Sequence, residues 1–195
     1  MAPDSLAMIG LPCTSFVQIN YATHRRCAEN LYGREDQFRY IGEANTIAVR
    51  TVIIMMILTV RGCYYLLEQP GSSKFLLFPE LLFLQQTLEN SGIPNFFTRF
   101  WMGSWGAKSP KLSMAIASSP YVVALKKKLG KFERARLKLN SAGICICKGK
   151  PDGSKSYQGG PNLRSTQVYP RKFAAKLFKM HAKLKARLDP GAATN

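Results

Sequence analysis

Acidic residues are scarce in this chain: 11 Asp and Glu stand against 28 Lys and Arg, a formal net charge of +17. Histidine is scarcer still, with two residues, and the five cysteines (Cys13, Cys27, Cys63, Cys145 and Cys147) share no framework spacing. Cys145 and Cys147 form C-x-C rather than C-x-x-C, with no second pair or nearby histidine, so they do not read as a metal site. No secretory signal opens the chain, which points to a reducing, intracellular compartment where disulfides are not expected. A long membrane-spanning run is missing too. The most apolar stretch, Thr51 to Val60, lies between Arg50 and Arg61 and is half the roughly 20 residues that a spanning helix needs. A buried helix suits it better. Internal repeats are absent, and Gly159-Gly160 is a lone pair rather than a Gly-rich cofactor loop.

What is present is a strongly divided charge. Up to Ala107 the chain carries eight basic and eight acidic residues, which leaves 20 basic and three acidic from Lys108 onward. The whole excess sits in the second half. Such asymmetry favours an acidic partner, most often nucleic acid, through phosphate neutralisation and counterion release. The plainer reading is a solvated basic face. The cluster Lys126, Lys127, Lys128, Lys131, Arg134, Arg136 and Lys138 is the candidate phosphate contact, with DNA favoured, and it also matches the loose pattern of a nuclear address.

The hydrophobic content of 46% over 195 residues can bury one core. Ser5 to Gly10 reads as a short strand of the kind buried in a parallel sheet, ended by Gly10-Leu-Pro-Cys13. Thr14 to Gly42 is polar and aromatic, a long functional loop with short helical turns. A helix from Glu43 to Val60 is apolar nearly all round past Arg50 and should be covered on most sides. Cys63 to Leu67 is a second strand, with Glu68-Gln-Pro70 where it ends. Phe78-Pro79-Glu80 opens a helix to about Asn90. Phe96 to Met102 and Leu112 to Ala117 are further strands. This order predicts an α/β sheet with crossover helices over residues 1–120.

The remaining residues, 121–195, read as a basic appendage. Tyr121 to Leu129 is a short helix. Ala142 to Gly149 and Ser154 to Gln158 are strands joined by Pro151-Asp-Gly153. Pro170 to Leu188 is an amphipathic helix with Phe173, Leu177, Met180, Leu184 and Leu188 at helical spacing, followed by a frayed tail after Pro190.

Two strand-end motifs carry candidate chemistry: Leu11-Pro-Cys13-Thr-Ser-Phe16 and Leu67-Glu68-Gln-Pro70. In an open α/β sheet both would face one crevice at the carboxyl ends of the strands. A thiolate beside a carboxyl group suits addition to carbon 6 of a cytosine, with the acid on ring N3 as carbon 5 becomes nucleophilic. The two motifs, in this order with a helix between, are similar to the Pro-Cys and Glu-Asn-Val motifs of the cytosine carbon-5 DNA methyltransferases. More closely, PCTSF, EQPGSS, the segment Trp101 to Gly106 and the late QVYP (Gln167 to Pro170) resemble a group of methyltransferase-like proteins found in large numbers in some protists.

That resemblance implies a partial Rossmann-like methyltransferase sheet with a basic carboxyl-terminal hairpin and helix. It makes Cys13 the nucleophile and Glu68 the ring-binding acid, with Thr14, Ser15, Phe16, Gln69 and Pro70 around the substrate. The family's S-adenosylmethionine-binding Gly-rich turn and acidic residue would precede Ser5, so the implied domain is truncated at its amino terminus and lacks its cofactor-binding half. A partner chain that completes the sheet is one consequence. The family's Gln-x-Arg-x-Arg motif is missing, with Lys108-Ser-Pro-Lys111 a loose substitute.

Plainer readings stand beside these. A free cysteine is among the most often buried residue types, and Cys13 gains a catalytic reading only from Glu68. His24, in Thr-His-Arg-Arg, reads as an exposed loop histidine and His181 as a partly exposed helix residue. Phe100, Trp101 and Trp105 suit core packing better than base stacking. Two functions follow: a methyltransferase-like protein acting on cytosine in DNA, or a non-catalytic basic nucleic-acid-binding protein. Binding of anionic lipid by Pro170 to Leu188 ranks lower, because that helix has no tryptophan.

Overall fold

The computed structural model describes residues 1–17, 20–141, 144–149, 151, 153 and 155–188. Expectations for Ala142, Asp152, Ser154 and the tail after Pro190 fall outside these residues. Among these residues are six strands: β1 (Leu6–Gly10), β2 (Tyr64–Pro70), β3 (Phe96–Trp101), β4 (Leu112–Ala117), β5 (Cys145–Gly149) and β6 (Lys155–Gly159). The helices are α1 (Tyr21–His24), α2 (Arg39–Val60), α3 (Pro79–Asn90), α4 (Lys131–Asn140) and α5 (Arg171–Leu188).

The first four strands form one mixed sheet in the order β1-β2-β4-β3. β1 and β2 are parallel, while β4 runs against both β2 and β3, so β1, β2 and β3 share one direction. β1 reaches β2 through α1 and α2, and β2 reaches β3 through α3, the helical crossovers that parallel strands require. β4 then returns as an antiparallel strand and slots between β2 and β3. β5 and β6 pair separately and antiparallel.

Both faces of the four-stranded sheet are covered. On one side Ala48, Val52 and Met55 of α2 and Leu81, Leu84 and Leu88 of α3 pack with Tyr65 and Leu67 of β2. On the other, Phe173, Leu177 and Met180 of α5 pack with Leu66, Ala115 and Phe100. The helix grouped by sequence with the basic appendage therefore supplies one layer of the core. Of the residues marked by the helical spacing, Phe173, Leu177 and Met180 are buried and Leu184 is half-buried.

α2 departs from expectation in two ways. It begins at Arg39 rather than Glu43 and, at 22 residues, runs about 33 Å, which makes it the one helix among the described residues long and apolar enough to cross a membrane. Its outer side is also uncovered: Ile53, Ile57 and Val60 are 49%, 52% and 88% exposed. One packed face is enough to hold a helix on a sheet, and apolar residues on the far side do not compel a further layer.

Shorter corrections concern the segments after β4. Pro120–Leu125 is a 3-10 turn rather than a helix to Leu129. The part of the basic cluster from Lys131 to Lys138, given no structure from sequence, lies in α4, which docks by its single buried residue, Leu137. Gly103 makes that possible, since a Cβ there would lie 2.6 Å from Leu137 Cδ1.

Candidate active site

Glu68 is not beyond the end of β2 but inside it. The strand continues to Pro70 because β4 still pairs there, with Glu68 opposite Ala115 and Pro70 opposite Ser113. β1 has already ended, its last residue Gly10 standing opposite Glu68, so Pro70's lack of an N–H deprives no ladder partner on that side. Glu68 projects from the face that α5 covers, between two positions with little side chain, Gly10 and Ala115. The space above them is filled by Tyr169, just ahead of α5. A Cβ on Gly10 would lie 2.7 Å from the Tyr169 hydroxyl oxygen.

Tyr169 donates its hydroxyl proton to Glu68 Oε2 at 2.9 Å. Lys111 Nζ lies 3.5 Å from Oε1, yet Oε1 is buried and accepts no hydrogen bond. Burial pushes the Tyr169 hydroxyl pKa well up, and the Glu68 charge adds to it, so the phenol stays a donor. Lys111 stands immediately before β4 with φ +21°, a backbone value that costs a lysine energy and that surrounding structure must hold. Its carbonyl is fixed by the Met102 N–H at 2.9 Å. Lys111, the last residue of the Lys108-Ser-Pro-Lys111 run, is thus placed on the carboxylate.

Cys13 lies three residues past Gly10, half-buried, on the turn that leaves β1. Its carbonyl accepts from the N–H groups of Phe16 and Val17. Burial pushes the thiol pKa up; Lys111 pulls it down and Glu68 pushes it up again. These opposing effects place Cys13, Glu68, Lys111 and Tyr169 in one electrostatic neighbourhood. The thiol is protonated at rest and needs a base to become a nucleophile.

The loop that carries Cys13 is braced from beneath by residues read differently from sequence. Arg26 is fully buried. Its Nε donates to Ser15 O at 2.7 Å, Nη2 to Ser15 Oγ at 3.1 Å and Nη1 to Leu31 O at 2.5 Å, with the guanidinium 4.1 Å from the centre of the Phe16 ring. Burial lowers its pKa to about 10, against the pull of Glu35. His24 is not exposed but fully buried, accepting from the Arg26 backbone N–H on Nδ1 and donating from Nε2 to Val17 O.

Ser15 and Phe16 therefore face the interior, Phe16 against Phe75 and Phe78 at 5.5 and 5.8 Å. Gln69 also serves the scaffold: its Nε2 donates to Leu11 O at 2.7 Å and its Oε1 accepts from Ser73 at 3.0 Å. Of the residues expected around the substrate, Thr14 is exposed and Pro70 half-buried.

The seven cations of the basic cluster are all exposed. No family model, curated protein or solved structure matches the chain.

Two cavities meet at Tyr169. One, of about 340 Å³, is bordered by Met102, Gly106, Lys108, Lys111, Val168 and Tyr169, and so opens onto both partners of Glu68. The other, of about 410 Å³, runs between β1 and α5. It is the space beside the first strand where a cofactor would be sought, and S-adenosylmethionine does not fit it. Its walls are apolar, its charged residue is Lys185, and among the described residues no carboxylate lines it to hold a ribose diol or face a sulfonium. Among the described residues no group of His, Cys, Asp and Glu could hold a metal ion.

Sequence reasoning passed over Tyr169 and Arg26 and misread His24 as exposed. Tyr169 sat in the QVYP segment without a role, 101 residues from Glu68. The basic character of Thr-His-Arg-Arg concealed two buried side chains that hold the Cys13 turn.

Proposed function

We propose that the chain is a methyltransferase-like protein related to the cytosine carbon-5 DNA methyltransferases, built on part of a Rossmann-like sheet and acting on a cytosine base in DNA. The observation that carries this reading is the placement of Cys13, on the turn that leaves β1, next to the strand that holds Glu68, with one carboxylate oxygen bonded by Tyr169 and the other facing Lys111 without a hydrogen bond among the described residues. Three strands running one way with helical crossovers, joined by one antiparallel strand, also suit a doubly wound sheet whose ligand sits at the strand carboxyl ends.

The chemistry starts from the protonated thiol. Glu68 takes the proton from Cys13 and passes it to ring N3 as sulfur bonds to carbon 6, so the thiol hydrogen ends on N3 and carbon 5 becomes nucleophilic. Lys111 holds the carboxylate charge near the ring, and Tyr169 fixes the orientation that leaves Oε1 toward the base. The base must leave its stack to reach a half-buried thiol. S-adenosylmethionine would supply the methyl group in such a reaction, and the cavity beside β1 does not suit it.

That poor fit favours a second reading, a basic nucleic-acid-binding protein that performs no methyl transfer. One experiment separates the two without the cofactor. Addition of Cys13 to carbon 6 lets carbon 5 exchange its hydrogen with solvent. An oligonucleotide deuterated at cytosine carbon 5 is incubated with the protein and followed by mass spectrometry. Loss of deuterium is expected, abolished by Cys13→Ser and slowed at least tenfold by Glu68→Gln, about 1.4 kcal/mol or more of barrier. Exchange no faster than in buffer, or equally fast with Cys13→Ser, leaves only the binding reading.

A further inference from the structure

The two tryptophans of the chain bracket one 3-10 turn, Met102–Trp105: Trp101 ends β3 just before it and Trp105 closes it. Phe100 is core, as the composition suggested, but Trp101 and Trp105 are only half-buried. Each indole is attended by cations from other elements. Arg134 of α4 lies 4.4 Å from the centre of the Trp101 ring. Lys127, ahead of α4, and Lys176 of α5 lie 5.7 and 5.8 Å from that of Trp105. The Trp105 N–H is already satisfied by Leu125 O at 3.0 Å, so the indole is fixed and what it offers a partner is its flat face.

The setting is almost free of anions. Glu133 is the only acidic residue of α4, and α5 has none. Gly106 follows Trp105 directly and lies against Pro170 and Lys172. It also borders the cavity that opens onto Lys111 and Tyr169. A continuous basic and aromatic track therefore leads from the turn to Glu68.

We propose that this track, Trp101 and Trp105 with Arg134, Lys127, Lys172 and Lys176, binds an unpaired nucleic-acid strand. The cations would neutralise successive phosphates, and bases would stack on the indoles in place of, or beside, the cations now on them. Face stacking selects a single strand, because the base faces of a duplex are already stacked on each other. The partner so named rests on the nucleic-acid part of the reading above and not on Cys13 chemistry.

With only two tryptophans, both in the track, intrinsic fluorescence reports it directly. The full chain is titrated with an oligothymidylate, which has no cytosine for Cys13, and with a duplex of the same length. Quenching by oligothymidylate is expected, with weaker binding and little quenching by duplex. Trp105→Ala should weaken binding roughly tenfold and Trp105→Phe should largely restore it. Lys127→Glu with Lys176→Glu should weaken it while both indoles remain.

Duplex bound equally well or better, unchanged emission, or equal quenching by vesicles rich in anionic lipid would overturn the proposal. Oligothymidylate binding without deuterium exchange leaves the track standing and removes the catalytic reading. Exchange without quenching does the reverse.

Discussion

His24 and Arg26 illustrate how a charged-looking tetrapeptide becomes the underside of a candidate site. Arg26's backbone N–H points at His24 Nδ1, which must be unprotonated to accept it, so the ring proton sits on Nε2 and bonds Val17 O. Adding a second proton would oppose donor to donor, next to the charges of Arg26 and Lys74. Burial first, and those charges after it, lower the His24 pKa below its ordinary 6.5, although the Val17 bond resists. The sign then follows. Between the folded value and 6.5 the unfolded chain binds more protons, so stability rises with pH there. The contribution is complete above 6.5 and is lost as the pH falls below it. Thermal melts between about pH 7 and pH 5 should show the midpoint falling in the wild type and falling less in His24→Gln, where this titration is gone. Equal slopes in the two proteins would mean that His24 charges freely in the fold.

At the scale of elements, α5 decides whether the site exists. Phe173 is buried, with Phe100 stacked 5.6 Å away on one side and Tyr169 at 5.5 Å on the other. The helix thus holds the hydroxyl that reaches Glu68. Phe173→Ala should cost about 3–5 kcal/mol in urea unfolding, while Phe178→Ala, at a residue 74% exposed, should stay within about 0.5 kcal/mol. A similar cost for both would place α5 differently. This helix also marks what the sequence could reveal. Its period identified Phe173, Leu177 and Met180 as buried, because amphipathic spacing is a local property. The bounds of β3 and β4 were nearly as legible, since short apolar runs between turn residues leave few alternatives. The face of the sheet that α5 covers, and hence the contact of Tyr169 with Glu68, depended on packing between segments a hundred residues apart. Cys13 and Glu68 were found through their motifs, and Lys111 only as a poor match to one. His24 was misread and Arg26 passed over because loop polarity normally signals exposure, and nothing local showed the Ser15 and Leu31 carbonyls that needed a buried donor.

Across the whole molecule, the division of charge coincides with a division of structure. α2 and α3, on one side of the sheet, belong to the half of the sequence whose charges balance, whereas α4 and α5 belong to the half that carries the excess. A polyanion should therefore meet one side of the protein and leave the other in water. The first 107 residues contain one lysine, Lys74, half-buried beside α3, which serves as an internal control. Acetylation of the chain with and without DNA, read by mass spectrometry, should give several-fold protection at Lys127, Lys131, Lys138 and Lys176 and none at Lys74. If about six phosphates are neutralised, the logarithm of affinity should fall with that of salt concentration with a slope near −5 for duplex or −4 for a single strand. The protection should disappear along the same curve. Uniform protection, or protection confined to Lys74, would mean that the excess charge is only a solvated face and that DNA is held elsewhere. A steep salt slope with protection on the α4 and α5 side would instead make charge the first contact, drawing the strand onto a surface where the indoles and the Glu68 crevice can act on its bases.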